Sequence, residues 1–271
     1  MSTWVLLRGL GREAGHWGDF LEVLRSRLDP VRIVALDLPG CGARRAERSP
    51  VRIDAMVEAC RAALASEAVA PPYRLLALSL GGMVAAAWSA RHPEEVLGAV
   101  LINTSLRRFA PMRRRLGIRT ALHLLRAHAF GNALATERAI LQLTSRNPPA
   151  DPQALLERWV AIRRQRPVSA ANLLRQLWAA GHENGPVASP LVRVLVLASA
   201  GDELVDPKCS ARIAEAWGAE LGLHPTAGHD LSLDAPEWVV ERIAAWLDSG
   251  PQNETGGGPF DRRPAAQPGP G

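Results

Sequence analysis

The stretch Leu75-Leu76-Ala77-Leu78-Ser79-Leu80-Gly81-Gly82 constrains this chain more than any other. Apolar residues that read as a buried strand run straight into a serine, and two glycines open the Ala-rich, helical run that follows at 83–90. A polar residue is thereby set at a strand-to-helix corner. Ala77 and Gly81, two positions to either side, are the small residues a sharp turn requires when its centre is strained and the two backbones pass close together. The Ser79 hydroxyl would project from the sheet edge in front of the first N–H groups of a helix, donors able to stabilise an oxyanion. The plainer reading, a strand ending in a Ser-Gly turn, has to be weighed against the rest of the chain.

Before this corner, residues 3–7 read as a buried strand that ends in Arg8-Gly9-Leu10-Gly11, a turn with accessible amides. Residues 17–28 place Trp17, Phe20, Leu21, Leu24 and Leu28 on one helical face. A strand at 31–38 is closed by Pro39-Gly40-Cys41-Gly42, and a helix at 53–70 by Pro71-Pro72. Strand 73–78, the helix through Arg91 and strand 96–102 continue the alternation, which encodes a parallel sheet covered on both faces. Then it breaks. From 106 to 189 there are only helical stretches (114–129, 133–144, 153–165, 170–180), an insertion that leaves from the sheet end carrying Ser79 and suits a lid over a pocket. The sheet resumes at 191–198 and 220–224, with helices at 208–217 and 236–247. The expected organisation is a mostly parallel, doubly wound α/β core (1–104 and 190–248), an all-helical cap (105–189) and a disordered tail (249–271) rich in Gly and Pro.

A length of 271 residues with 47% hydrophobic and 22% charged content suits one globular domain with an insertion. No apolar run approaches the ~18 to 20 residues of a membrane span, and the first residues lack a basic leader and cleavage site, so a cytoplasmic protein is expected. Three cysteines without a Cys-x-x-Cys pair support neither a disulfide framework nor zinc, and are read as free thiols. The net charge of +5 is unevenly spread: residues 105–185 hold 14 arginines and four acidic residues. That surplus is read as a solvated surface, or as attraction for anionic substrates or lipid surfaces. Nucleic acid is not expected, because aromatics are not interleaved with the arginines.

A serine hydroxyl is a poor nucleophile at neutral pH and needs an imidazole to take its proton and a carboxylate to orient that imidazole. Asp202 follows one buried strand in a Gly-Asp loop and His229 follows the last short strand in a Gly-His loop, giving the chain order Ser79, Asp202, His229. Asp206, just before Pro207, competes for the acid role but suits a turn or helix start. Asp230 is expected to face solvent. Trp17 reads as core; His16 could line the pocket. His123, His128 and His182 have no metal-ligand spacing.

Leu-Arg-Gly-Leu-Gly at 7–11, Asp-Leu-Pro-Gly-Cys-Gly at 37–42, Ala-Leu-Ser-Leu-Gly-Gly at 77–82, Gly-Asp-Glu-Leu-Val-Asp-Pro at 201–207 and Gly-His-Asp at 228–230 together resemble the α/β-hydrolase superfamily. The resemblance implies Ser79 as nucleophile, Asp202 as acid, His229 as base, and an oxyanion hole from the backbone N–H groups of Leu10 and Leu80. The chain departs from the family pattern in two places: Arg8-Gly9 stands where His-Gly is usual, and Ala77 where glycine is usual. The expected function is cleavage of a small or medium carboxylic ester, with lipid-like esters and thioesters within its range, through an acyl-enzyme, without cofactor or metal, by a monomer or homodimer. The alternative is a hydrolase-like ligand receptor or partner-binding protein with a slow triad, whose arginine-rich helices would be the partner surface.

Overall fold

The computed structural model describes residues 3–28, 31–115, 126 and 131–250. Six strands, β1 (Thr3–Leu7), β2 (Arg32–Leu36), β3 (Tyr73–Leu78), β4 (Val96–Ile102), β5 (Val194–Ser199) and β6 (Glu220–His224), pair in parallel in the order β2-β1-β3-β4-β5-β6. The expected doubly wound α/β architecture is present. Because strand residues alternate between faces, both sides of the sheet must be apolar if helices cover both. Val5, Leu7, Leu75, Ala77 and Leu101 point one way, onto helices α2 (Ile53–Ser66), α3 (Leu80–Arg91) and α7 (Lys208–Trp217). Trp4, Leu6, Leu76, Leu78 and Leu197 point the other way, onto α1 (Phe20–Leu28) and α8 (Pro236–Asp248). Helix α3 is buried continuously from Leu80 to Ser89, and its composition is accordingly apolar on every face.

The strand order has a functional consequence. The chain runs from β1 outward to β2 and then returns across β1 to β3, so the connections after β1 and β3 depart in opposite directions. A crevice opens at the carboxyl ends of two strands where this happens. The Arg8–Gly11 turn and Ser79 are the residues that flank it.

Between β4 and β5 the described residues form helices and no strand: a helical turn at Met112–Arg115, then α4 (Ala133–Thr144), α5 (Pro152–Gln165) and α6 (Ala170–His182). Most of the helix expected at 114–129 and the tail from 251 onward lie outside the described residues. Three boundaries differ from expectation for local reasons. The helix expected at 17–28 is split, because Gly18 takes a positive φ of 48° after a tight turn at Ala14–Trp17 and α1 starts only at Phe20. The helix expected to reach residue 70 ends at Ser66, where Ala68 turns left-handed and Val69 donates its N–H back to the Leu64 carbonyl. Strand β2 stops at Leu36 because the Asp37 carboxylate turns aside to accept from the N–H groups of Ala14 (2.7 Å) and Ala43 (2.8 Å). No helix of the described residues is long and apolar enough to cross a membrane.

Candidate active site

Ser79 follows β3 directly and takes φ 57°, ψ −114°, a left-handed conformation for a side chain with a Cβ. Three interactions hold it there. Its N–H donates to the Ile102 carbonyl at 2.9 Å, its carbonyl accepts from the Thr104 hydroxyl at 2.8 Å, and α3 begins immediately, with Met83 donating to the same Ser79 carbonyl. The glycines beyond it are required by contact: a Cβ on Gly81 would stand 2.4 Å from the Leu7 carbonyl oxygen, and one on Gly82 would stand 2.7 Å from the Thr104 Cβ. Helix α3 therefore presses its first turn against the end of β1. Ala77, where the family pattern usually has glycine, is fully buried and accommodated in β3.

That approach sets two backbone donors on one cavity. Leu80 is the first residue of α3, so its N–H has no partner within the helix, and the Leu10 N–H makes no hydrogen bond with any described residue. Both residues, with Ser79, line a cavity of about 440 Å³. His229 lines it too. Its Nδ1 stands 2.7 Å from Asp202 Oδ2, with His229 4% and Asp202 7% exposed. The other oxygen, Asp202 Oδ1, accepts from the N–H groups of Leu204 (2.8 Å) and Val205 (2.9 Å), so the carboxylate is fixed at both ends. Asp206 instead accepts from the Lys208 N–H at the start of α7, the helix-start role that its position before Pro207 suggests. A carboxylate on Nδ1 leaves Nε2 as the proton-accepting nitrogen, the arrangement a serine hydroxyl needs. Ser79 Oγ makes no hydrogen bond with any described residue.

Two parts of the site were not legible beforehand. Asn103 closes β4 with a positive φ of 45° and is 1% exposed. Its amide nitrogen donates to Ser199 Oγ (3.0 Å), the Gly228 carbonyl (3.3 Å) and the His229 carbonyl (2.8 Å), while its oxygen accepts from the Ser199 N–H (2.9 Å). One side chain thus ties β4, β5 and the His229 turn together. The only sequence signal was a polar residue following a seven-residue apolar strand.

The second is Asp230, which corrects the expectation that it faces solvent: it is 4% exposed. Arg8 donates to it through Nη1 (3.1 Å to Oδ1) and Nη2 (2.5 Å to Oδ2), and Ser232 Oγ adds a third bond at 2.7 Å. The cause is Arg8 itself, buried where the family pattern has histidine and stacked 4.8 Å from the Trp17 ring. A guanidinium in that position needs a counter-charge, and the carboxylate turns inward to supply it. Burial pushes the Asp230 carboxyl up, but the charge and hydrogen bonds of Arg8, aided by Ser232, prevail and hold it below its usual value. The pair joins the Leu10 turn to the His229 turn. Trp17 packs in the core as expected, and His16 lies against Trp159 at the edge of that network.

The inserted helices are fastened to these same turns. Glu137 of α4 bonds Arg12 (2.6 Å) and Arg163 of α5 (2.5 Å), Gln176 of α6 accepts from the Gly11 N–H (2.9 Å), and the Asp230 N–H donates to the Thr144 carbonyl (2.7 Å). Leu173, Leu177 and Trp178 of α6 give the cavity its apolar wall. Part of the arginine surplus expected to be solvated surface is therefore internal structure.

Comparison with known proteins agrees with this architecture. A family model described as the alpha/beta hydrolase family matches residues 4–242. A pimeloyl-[acyl-carrier protein] methyl ester esterase of Chromobacterium violaceum is 27% identical over 239 residues, covering 87% of this chain and 83% of that protein. Among solved structures, an esterase from Exiguobacterium antarcticum superposes with a TM-score of 0.74 at 17% identity, and an enol-lactonase from Burkholderia xenovorans with 0.73 at 19%; each match covers 92% of both chains. At such identities the structural likeness concerns the fold.

Proposed function

The chain belongs to the alpha/beta hydrolase family, and from that premise we propose that it is a serine hydrolase that cleaves carboxylic esters of small or medium size. One observation carries the reading: Ser79, held at a strained strand-to-helix corner, shares a cavity with the imidazole of His229, which Asp202 engages at 2.7 Å. In this reading His229 Nε2 removes the Ser79 proton as Oγ attacks the ester carbonyl. The N–H groups of Leu10 and Leu80 receive the oxyanion, and the imidazolium formed is stabilised by Asp202. His229 then protonates the departing alcohol, leaving an acyl group on Ser79. Water deprotonated by His229 attacks that acyl group, and collapse of the second tetrahedral species returns the acid and the free serine.

The curated relative is named for a methyl ester substrate, which supports an ester as the bond cleaved. Helices α4 to α6 act as the cap in this reading, since their side chains wall the cavity and bond the Leu10 and His229 turns. The test is labelling by a fluorophosphonate and turnover of p-nitrophenyl esters of increasing chain length. Ser79→Ala and His229→Ala should each lose labelling and at least about 10⁴-fold in kcat. Wild-type protein that neither labels nor turns over any ester would refute the proposal.

A further inference from the structure

The cavity beside Ser79 is apolar over most of its wall, yet four of the described arginines reach it: Arg8, Arg12, Arg115 and Arg163. Buried cations are normally matched one for one by anions, so the bookkeeping here is informative. Arg8 is matched by Asp230. Among the described residues, Arg12 and Arg163 both bond Glu137, which is 1% exposed. Arg115, 3% exposed, donates to the carbonyls of Ala180 and Gly181 and to Ser105 Oγ, and no described carboxylate lies within 4 Å of it. Among the described residues that line the cavity there are thus four arginines and one acid, Asp230.

Arg12 has capacity to spare. It is 8% exposed, its Nη1 is taken by Glu137, and its guanidinium lies 4.1 Å from the Trp159 ring centroid, which holds the plane in place. Its Nη2 is buried with no hydrogen-bond partner among the described residues. An unmatched guanidinium N–H in an apolar enclosure loses the full cost of its desolvation unless a ligand supplies an acceptor. His16, nearby, does not compete for such a ligand: burial first, and then the charges of Arg12 and Arg8, drive its imidazole well below its ordinary range and leave it neutral.

We infer that the substrate is an ester bearing a carboxylate at a distance from its scissile bond, and that Arg12 is the residue that meets this carboxylate. The inference rests on the reading of Ser79 as nucleophile and adds the substrate class. A neutral ester of equal length would fill the same volume and leave the arginine unmatched, so the preference should be for charge rather than size.

The experiment compares hydrolysis of monomethyl adipate with methyl hexanoate, and monomethyl suberate with methyl octanoate, by pH-stat. The acetate ester of 6-hydroxyhexanoate is added to place the carboxylate on the alcohol side. In the wild type, kcat/KM should favour one carboxylate ester over its neutral counterpart by roughly 10- to 100-fold, the worth of one buried charge-assisted hydrogen bond. Arg12→Met should bring that ratio close to one, with Arg12→Lys between. A merely structural role for Arg12 lowers both substrates together and leaves the ratio unchanged, which would overturn the inference. Free adipate provides a readout without turnover: it should bind the wild type and Ser79→Ala measurably by calorimetry and bind Arg12→Met at least about tenfold more weakly. Active protein with a wild-type ratio near one and no adipate binding sinks the carboxylate inference and leaves the esterase reading standing. Adipate binding dependent on Arg12, in a protein inert toward every ester, sinks the esterase reading instead.

Discussion

Replacing Asp230 by asparagine keeps the shape of the His229 turn and removes one charge. The carboxylate and its partner Arg8 are 4% and 3% exposed, so little water is available to replace it. Arg8 would keep Ser232 Oγ at 3.1 Å and a weaker amide oxygen, but its charge would be buried without a counter-ion. Breaking one partner of a buried pair costs about 3–5 kcal/mol, a large share of the 5–15 kcal/mol that holds a typical domain together. With about 2–4 °C per kcal/mol for a chain of this size, the melting temperature should fall by roughly 6–20 °C. The assay is urea unfolding followed by tryptophan fluorescence. The informative control is Arg8→Met/Asp230→Leu, which removes both charges and should recover most of the loss, since apolar replacement of a buried pair is often neutral. Asp230→Asn within about 0.5 kcal/mol of wild type, or a double variant no better than the single, would refute the argument that these charges are matched in a dry environment.

Asn103→Ala should lower kcat by about 10- to 100-fold with little change in KM, because the His229 carbonyl and the Ser199 N–H lose their partner and the proposed base is displaced rather than removed. Asn103→Gly, which relieves the positive φ but restores no hydrogen bond, should fail equally; recovery by glycine would show that the strain mattered and the bonds did not. His16 gives a pH prediction. Its folded pKa is depressed, so the native state takes up fewer protons than the unfolded chain. Its contribution to stability is present above the ordinary value of about 6.5 and is lost as pH falls from there toward the folded pKa, by up to about 1.4 kcal/mol per pH unit. Urea midpoints between pH 7.5 and 5 should decline more steeply for wild type than for His16→Gln, and parallel profiles would contradict this.

The alternation of apolar runs with amphipathic helices was enough to read the parallel sheet, and the residues at strand ends pointed to Ser79, Asp202 and His229 as candidates, with Asp206 as a competitor. Those features are local: each rests on a few neighbouring residues whose periodicity or turn chemistry is visible in a row of letters. What was not legible depends on which strand lies beside which. Arg8 and Asp230 are 222 positions apart and Asn103 and His229 are 126 apart, and their meeting follows from the order of six strands. The sharing of Glu137 by two arginines was hidden for the same reason, so an internal charge network looked like a basic surface. Asp206 could be argued as a helix-start residue from its Pro207, but only geometry shows Asp202 at the imidazole.

Two of the three thiols are placed so that they report on different events. All are buried, and burial pushes Cys41 and Cys60 up to about 12 and Cys209 up to about 11, so none is a ready nucleophile while the chain is closed. Cys60 sits within α2, in the core. Cys41 sits after β2, where Gln176 of the inserted helix α6 donates to its sulfur at 3.2 Å. A thiol reagent therefore has two clocks to read in one molecule: Cys60 keeps time with unfolding of the whole domain, and Cys41 with the lifting of α6 from the core. Should Cys41 run faster, the difference measures how often the chamber over Ser79 stands open.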